Sequence, residues 1–225
     1  MDDIKIDKII RTRRRTFALE IKSDASLIVR APEHASYETI QKIVYKKRFW
    51  ISEKQKLAKE KYKKTDQKEF VNGEGFLYLG NIYKLFITDK TYPPIIFDNN
   101  SFILSSEYVE NAREVFIRWY KKQAYSKISE RVARYSSSSG IKYNKINITN
   151  AQKRWGSCSI KGNLNFSWRL IMAPLKVIDY VVVHEIVHIE EKNHSRKFWD
   201  KVKIILPGYK KHKNWLKENE YLFFF

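Results

Sequence analysis

The sequence predicts an α+β fold, with an N-terminal region of antiparallel strands and helices followed by a C-terminal domain built around a buried helix. Short aromatic and β-branched runs recur between turn residues up to about residue 105, which is typical of strands. Two later segments carry apolar residues at helical spacing instead. We therefore divide the chain into an N-terminal region, residues 1–106, and a C-terminal domain, residues 107–225.

The first expected elements are a strand hairpin and a helix. Residues 16–21 and 27–30 alternate apolar and polar side chains around a polar segment, which predicts two paired strands. Residues 37–64 then show helical periodicity. The buried face of this helix is expected to consist of Ile40, Ile43, Val44, Phe49 or Trp50, and Leu57.

Four strands and a long helix follow. Aromatic and β-branched runs at 76–79, 83–87, 95–97 and 102–104 are separated by Asn, Gly, Pro and Asp, which predicts an antiparallel sheet. From about 107 to 135 the periodicity is helical again, and the helix is expected to end at four serines and Gly140. Its expected buried face consists of Ala112, Val115, Phe116, Trp119, Ile128 and Val132.

The last part of the chain is expected to contain two strands and the buried helix. Residues 146–171 predict two strands that turn at 161–163. Pro174 then opens a helix, because the N–H that proline lacks would have no partner in a first helical turn. Over residues 175–190 this helix is apolar nearly all round, which predicts that it is buried.

The composition indicates a folded protein that does not enter a membrane. Hydrophobic residues make up 43% of the 225 residues and aromatic residues 15%, more than a disordered chain carries. No run of 18 apolar residues is present, and the start of the chain lacks the basic and apolar segments of a secretory signal. The one cysteine, Cys158, cannot form an internal disulfide, which is compatible with a reducing compartment. We expect a cytoplasmic protein without a membrane partner.

The formal net charge of +19 bears on possible partners. Residues 1–65 carry 18 basic and 9 acidic side chains, and residues 196–217 carry 8 basic and one acidic. Such a surface attracts nucleic acid or other anionic partners, or it is simply a solvated lysine-rich surface. Tyr45, Phe49 and Trp50 interleave with the cations of the first helix, where they either stack on single strands or mark its buried face. Those cations are Lys46, Lys47, Arg48, Lys54, Lys56, Lys59, Lys61, Lys63 and Lys64.

The buried helix carries the segment His184-Glu185-Ile186-Val187-His188. Two histidines four residues apart lie one turn apart on the same face of a helix, so both imidazoles can reach one ion. The adjacent Glu185 lies beside that ion, where its carboxylate can take a proton from water. A buried carboxylate between two histidines is costly without such a partner. The segment therefore predicts a zinc-dependent hydrolase of peptidase type.

A catalytic zinc site needs a third protein ligand and one open position. His194 is the candidate that we favour, because the polar residues 190–193 let the chain leave the helix and fold back. A carboxylate from a following helix, Glu218 or Glu220, is the alternative. His34 and His212 belong to no comparable cluster. Imidazole ligands favour zinc among the common divalent ions.

The spacing of the three histidines matches the metzincin motif in part. The glycine expected three residues after the second histidine is Glu191 here, and no methionine follows the motif, since Met172 precedes it. The chain therefore does not fit the ordinary metzincin pattern.

Several motifs around this helix together resemble the YgjP-like metallopeptidase family, a relative of the SprT-like zincins. They are Arg154-Trp155-Gly156-Ser157-Cys158, Trp168-Arg169-Leu170, Ala173-Pro174, the segment from Val177 to Glu185, Asn193-His194-Ser195 and Phe198-Trp199. The resemblance is most specific over residues 150–216 and extends more loosely to the N-terminal elements. It implies that residues 107–225 form a zincin-like metallopeptidase domain.

The resemblance also implies roles for individual residues. His184, His188 and His194 would bind zinc, Glu185 would be the general base, and the substrate would be a protein or peptide. The strand formed by Trp155, Gly156, Ser157 and Cys158 would pair with an extended substrate. The alternative is a core hairpin in which Trp155, Phe166 and Trp168 only pack. Tyr209 either stabilises an oxyanion near the metal or is an ordinary core or surface tyrosine.

Two other functions are compatible with the sequence. The chain could keep its zinc without proteolysis and act as a binding protein associated with nucleic acid through its basic surface. Alternatively, Cys158 could be a nucleophile activated by a histidine. Inactivation by a chelator but not by a thiol-alkylating reagent separates the metal-dependent reaction from the cysteine-dependent one.

Overall fold

The structure is a computed structural model that describes residues 4–22, 24–64 and 68–223, without the side chains of 60–64. The side chains of Lys61, Lys63 and Lys64, which belong to the predicted basic helix, thus lie outside the described residues. The chain divides into two compact units. The first lies within residues 1–67, and the second begins at Lys68 and includes the described residues up to 223.

The first unit contains a three-stranded sheet and two helices. Strand β1 (Lys8–Thr12) pairs in parallel with β3 (Leu27–Pro32), and β2 (Ala18–Ile21) pairs with the other side of β3 in antiparallel fashion. Helices α1 (Tyr37–Lys46) and α2 (Arg48–Lys64) follow. The predicted hairpin is confirmed as β2 and β3. Strand β1 was not predicted, because two isoleucines between charged residues show no period-2 pattern.

The core of the first unit lies between the sheet and the two helices. Leu27, Val29 and Ala31 alternate inward along β3, and Ile40, Val44 and Ile51 from the helices complete the cluster. The predicted buried face is wrong at Phe49, Trp50 and Leu57, which are exposed. Ile51 takes the inward position instead, and Phe49 lies two residues away, which is more than half a helical turn.

The second unit begins with a four-stranded sheet. Its strands are β4 (Gly75–Tyr78), β5 (Asn81–Thr88), β6 (Ile95–Asp98) and β7 (Ser101–Ser105), in the order β4-β5-β7-β6. All four predicted strands are confirmed. The sheet is mixed rather than antiparallel, because β7 and not β6 lies beside β5 and runs parallel to it.

A long helix covers this sheet. Helix α3 (Ala112–Ser139) follows a short 3₁₀ helix at Ser106–Tyr108 and packs Phe116 against Phe76 with ring centroids 4.2 Å apart. The helix continues through the four serines, where the prediction had ended it. The Ser139 hydroxyl donates to the Tyr135 carbonyl at 2.7 Å, and Gly140, at φ 73°, provides the left-handed residue that ends the helix.

The remaining elements surround the buried helix. Strands β8 (Ile146–Thr149), β9 (Gly156–Cys158) and β10 (Leu164–Ser167) form a sheet in the order β8-β10-β9, so β9 is an edge strand. A 3₁₀ helix at Trp168–Met172 leads into α4 (Leu175–Val187). Helices α5 (Arg196–Ile205) and α6 (Tyr209–Asn219) and a 3₁₀ helix at Glu220–Phe223 follow.

The boundary near residue 106 stays a prediction for the functional domains, and it lies within the second compact unit. The turn between β4 and β5 is joined to the segment before α4, because the Leu79 N–H donates to the Ile171 carbonyl at 3.0 Å and the Gly80 N–H to the Met172 carbonyl at 2.9 Å. A Cβ at Gly80 would lie 2.7 Å from the Pro174 side chain. The four-stranded sheet therefore belongs to the same compact unit as α4.

Among the described residues, no helix combines the length and the apolarity that crossing a membrane demands.

Candidate metal centre and active site

Helix α4 is held in the interior of the second unit. Its side chains are apolar on nearly every side, and β-branched residues are accommodated because packing outweighs their modest helix propensity. The buried members are Val177, Ile178, Val181, Val182, Val183, Ile186 and Val187. The buried Asp179 is the polar exception at the start of the helix, and Arg131 of α3 donates to both of its carboxylate oxygens.

Three imidazole rings meet at the end of α4. The Nε2 atoms of His184 and His188 are 3.2 Å apart, as expected for residues one helical turn apart. The Nε2 atom of His194 lies 3.2 Å from that of His188 and 3.0 Å from that of His184. Among the described residues these three side chains form a group that could share one metal ion. His34, His212, Glu218 and Glu220 are not part of it.

A short turn returns His194 to the other two histidines. Helix α4 ends at Val187, whose carbonyl accepts from the N–H groups of Glu190 and Glu191. The Lys201 ammonium of α5 donates to Glu190 at 2.8 Å and lies 3.0 Å from Glu191. These contacts of Lys201 join α5 to the turn.

The start of α5 orders the segment on either side of His194. The Asn193 side chain accepts from the Ser195 N–H at 3.2 Å, and the Ser195 hydroxyl caps α5 by accepting from the Phe198 N–H at 3.4 Å. The His194 ring also stacks on Trp199, with centroids 5.6 Å apart. These local bonds hold the third imidazole in place.

The donor set fits a divalent metal ion. Ligand nitrogens at about 2.0 to 2.1 Å from a tetrahedral zinc are separated by roughly 3.4 Å, close to the 3.0–3.2 Å between these Nε2 atoms. The Nδ1 atom of His188 lies 2.9 Å from the Glu191 carbonyl. A proton on Nδ1 donates to that carbonyl and leaves the Nε2 lone pair free for a metal.

The surroundings also favour neutral imidazoles. Burial is the largest effect on His184, and the neighbouring His188 and His194 act in the same direction. Together they lower the pKa of His184 to about 3. Burial, followed by His188, also lowers the pKa of His194. Neutral rings present the lone pairs that a metal ion requires.

Glu185 follows His184 directly on α4, and its carboxylate is buried. Burial raises its pKa to about 8, although the positive charge of Arg154 acts in the opposite direction. The carboxylate also lies directly against β9, since a Cβ at Gly156 would be 2.6 Å from Glu185 Oε1. The main chain of β9 therefore packs directly against the Glu185 side chain.

The four residues predicted to bind substrate have different surroundings. Gly156, Ser157 and Cys158 form β9, which pairs with β10 on one side and ends the sheet on the other. Trp155 precedes the strand, and its ring packs edge-on against Phe223 at 5.2 Å. Phe166 and Trp168 are core residues, as the alternative of a packed hairpin expected.

The surroundings of Cys158 do not favour a nucleophile. Burial, the largest effect, raises the pKa of its thiol, and the nearby Glu185 charge raises it further, while Lys192 acts in the opposite direction. The Sγ atom donates to the Ser159 carbonyl at 3.4 Å. A catalytic thiolate requires the opposite shift.

Tyr180, Trp199 and Tyr209 form a group of aromatic rings next to His184. Tyr209 is buried and stacks between Tyr180, at 6.3 Å, and Trp199, at 5.3 Å. Burial raises the pKa of Tyr180 to about 12. Tyr180 and Arg131 were not singled out from the sequence as site residues. An arginine among the apolar positions of the predicted α3 face is the signal that could have identified Arg131.

The geometry and the comparison with known families together define the class of protein. The end of a buried helix and the segment before α5 bring together three imidazoles that could hold a metal ion, and the edge strand β9 packs against the same helix at Glu185. A family model described as YgjP-like, metallopeptidase domain, matches residues 15–219. The chain belongs to the YgjP-like metallopeptidase family.

Two solved structures resemble part of the chain. The metallopeptidase zymogen of Pyrococcus abyssi abylysin is 17% identical, covers 41% of this chain and 95% of its own, and superposes with a TM-score of 0.38. The metallopeptidase zymogen of Methanocaldococcus jannaschii jannalysin is 21% identical, covers 42% of this chain and 96% of its own, and has a TM-score of 0.37. No curated protein sequence matches the chain significantly.

Proposed function

We propose that this metallopeptidase uses zinc, with His184, His188 and His194 as the ligands and Glu185 as the general base. The observation that carries the proposal is the approach of three Nε2 atoms to within 3.0–3.2 Å of one another, and it is supported by the burial of Glu185, the residue that follows His184 on α4. Three imidazoles favour zinc over magnesium and calcium, which prefer oxygen ligands. Three ligands also leave a fourth position open for the reaction.

In this proposal the reaction is the hydrolysis of a peptide bond by water. A zinc ion held at the three imidazoles supplies the Lewis acidity that activates the water and polarises the substrate carbonyl. The Glu185 carboxylate accepts a proton from the water and later delivers it to the leaving amine. Burial raises the pKa of the Glu185 carboxyl to about 8 in the metal-free site, and the charge of a bound zinc ion would lower it again and so favour the carboxylate that accepts the proton.

The substrate is proposed to lie along β9. This strand ends its sheet, so its outer edge can add an extended peptide through main-chain hydrogen bonds. Gly156 and Glu185 are in close approach, and a peptide paired with Trp155, Gly156, Ser157 and Cys158 would pass next to the general base. Main-chain pairing selects for an extended conformation more than for sequence, which supports unfolded proteins or flexible segments as substrates.

The test compares zinc content and hydrolysis in the wild type and Glu185→Gln. We expect the variant to retain its zinc and to hydrolyse a labelled unfolded protein about 10² to 10⁴ times more slowly, the usual contribution of a general base. Glu114→Gln is the matched control, because Glu114 is an exposed glutamate of α3. Wild-type hydrolysis by a zinc-loaded Glu185→Gln would contradict the assignment of the base.

A further inference from the structure

A groove opens in the first unit where α1 meets α2. Its volume is about 1050 Å³, and part of its wall is the segment of residues 4–6. Three aromatic rings and three cations line it, namely Tyr37, Tyr45, Phe49, Lys5, Lys42 and Arg48. This groove is formed entirely by residues of the first unit.

The three rings are exposed although they could contribute to a core. Phe49 is 74% exposed, Tyr45 58% and Tyr37 53%. The core of the first unit is already filled by aliphatic residues such as Val44 and Ile51. Single exposed aromatic residues are common, but three that face one groove indicate a binding surface.

Arg48 stacks on two of these rings. Its guanidinium carbon lies 4.4 Å from the centroid of Tyr45 and 4.4 Å from the centroid of Phe49. Its Nη1 also donates to the Tyr45 carbonyl at 3.1 Å. A guanidinium stacked in this way is ordered before a ligand arrives and still has donors for a phosphate.

The charge of the groove is complementary to a polyanion. Lys5, Lys42 and Arg48 line it, and no acidic residue is among the described residues that do so. The Lys5 ammonium lies 4.0 Å from the exposed Asp7 carboxylate, a weak surface pair. The first turn of α2 carries no acidic side chain, so nothing there opposes the attraction of an anion.

We propose that this groove binds single-stranded nucleic acid, with bases stacked on the exposed rings and phosphates paired with the surrounding cations. A single strand combines what the groove offers, because each of its bases has a free face and each linkage carries a negative charge. In a duplex the base faces are covered, and an acidic peptide supplies the charge without the stacking faces. The concave shape favours inserted bases over a flat anionic membrane.

The experiment measures binding of the full-length chain to fluorescent oligothymidine and oligouridine of about 15 nucleotides, within the usual range of site sizes. We expect affinity to fall as salt rises, and Phe49→Leu to weaken binding about tenfold at constant salt, the loss of one stacked base. Leucine keeps the apolar bulk and removes the aromatic face. Phe49→Tyr should bind like the wild type, because the ring is retained. The preferred oligonucleotide shows whether DNA or RNA is the ligand.

Two further variants distinguish binding in the groove from nonspecific binding elsewhere on the protein surface. Tyr125→Leu is the matched control, because Tyr125 is an aromatic residue of α3 that is 57% exposed and lies outside the groove. It should leave the affinity unchanged. Lys42→Gln should make the negative slope of log affinity against log salt shallower by about 0.7, the value for one phosphate contact on a single strand.

Three outcomes would overturn the proposal. The first is that Phe49→Leu binds the oligonucleotide as tightly as the wild type does. The second is that a duplex of the same sequence binds with equal affinity. The third is that polyglutamate or anionic vesicles displace the oligonucleotide and that Phe49→Leu weakens their binding to the same extent. Thermal melts verify that each variant is folded. The binding does not depend on the proposed peptidase chemistry, so Glu185→Gln should bind the oligonucleotide like the wild type.

Discussion

At the residue scale, the proposed active site depends on the missing side chain of Gly156. A Cβ there would lie 2.6 Å from both Cγ and Oε1 of Glu185 and 2.8 Å from Cδ, well inside van der Waals contact. The glycine is thus required by the close approach of β9 to the carboxylate. Any larger residue must displace the strand or the proposed base.

We expect Gly156→Ala to reduce hydrolysis about hundredfold or more, because a displacement of the base by about 1 Å costs that much in rate. Zinc content should be unchanged, since the three histidines lie on other elements. The measurement is the rate of hydrolysis of a labelled unfolded protein by the zinc-loaded variant.

Ser157→Ala is the control on the same strand, because a Cβ is already present at that position. It should retain most of the activity if β9 contributes its main chain to the substrate. Full activity of Gly156→Ala would show that the contact between β9 and Glu185 has no part in the reaction.

At the scale of elements, helices α3 and α4 are joined by a buried ion pair. The Arg131 guanidinium and the Asp179 carboxylate form two hydrogen bonds, one of 3.0 Å between Nη2 and Oδ2, and both side chains are buried. The hydrogen bond to Asp179 raises the pKa of Arg131, although burial opposes it. The pair fixes the start of the helix whose other end carries His184 and His188.

Arg131→Met should lower the free energy of unfolding by about 3 to 5 kcal/mol, because it leaves the Asp179 carboxylate buried without its partner. Chemical denaturation measures this change. The double variant Arg131→Met with Asp179→Leu should recover part of the loss, since no unpaired charge then remains in the interior.

Arg134→Met is the matched control on α3. Arg134 is exposed three residues further along the helix, so its replacement should change the free energy of unfolding by no more than about 0.5 kcal/mol. An equal loss in both variants would mean that the ion pair does not contribute through its burial.

Elements were predictable from the sequence where local pattern decides their structure. Each strand from β4 to β7 contains a run of aromatic and β-branched residues between turn residues, and all four were found. The parallel pairing of β5 with β7 was not, because the order of strands depends on contacts between distant segments. The inward position of Ile51 was missed for the same reason.

At the scale of the whole molecule, the chain consists of two compact units that divide between residues 67 and 68. The sheet of the second unit supplies the partners of α3, in particular Phe76 and Phe102, whose rings lie 4.2 and 5.2 Å from Phe116. A fragment that lacks this sheet would expose that aromatic face.

We expect a fragment of residues 68–223 to unfold cooperatively and to bind zinc, because it contains both its own core and the three histidines. A fragment of residues 107–223, which starts at the boundary suggested by the sequence, should aggregate or lose cooperative unfolding. Thermal melts and metal analysis of the two fragments test this expectation. Cooperative folding of the shorter fragment would place the boundary near 106 after all.

The sequence by itself determined the local chemistry of this protein. The spacing of His184, Glu185 and His188 on a helix sets their relative positions through helix geometry alone, and the surrounding apolar residues indicate that the helix is buried. The motifs between residues 150 and 216 were sufficient to indicate the family to which the chain belongs.

Only the tertiary structure decided which distant residues meet this helix. It places Gly156 against Glu185, pairs Arg131 with Asp179, and leaves Phe49 exposed beside Arg48. Each of these three contacts or exposures depends on how the helices and strands pack together. Several side chains on one helix or strand could fill the same interior space, and only some of them do. Periodicity identifies the candidates for burial, but the volume and the shape of the core select among them.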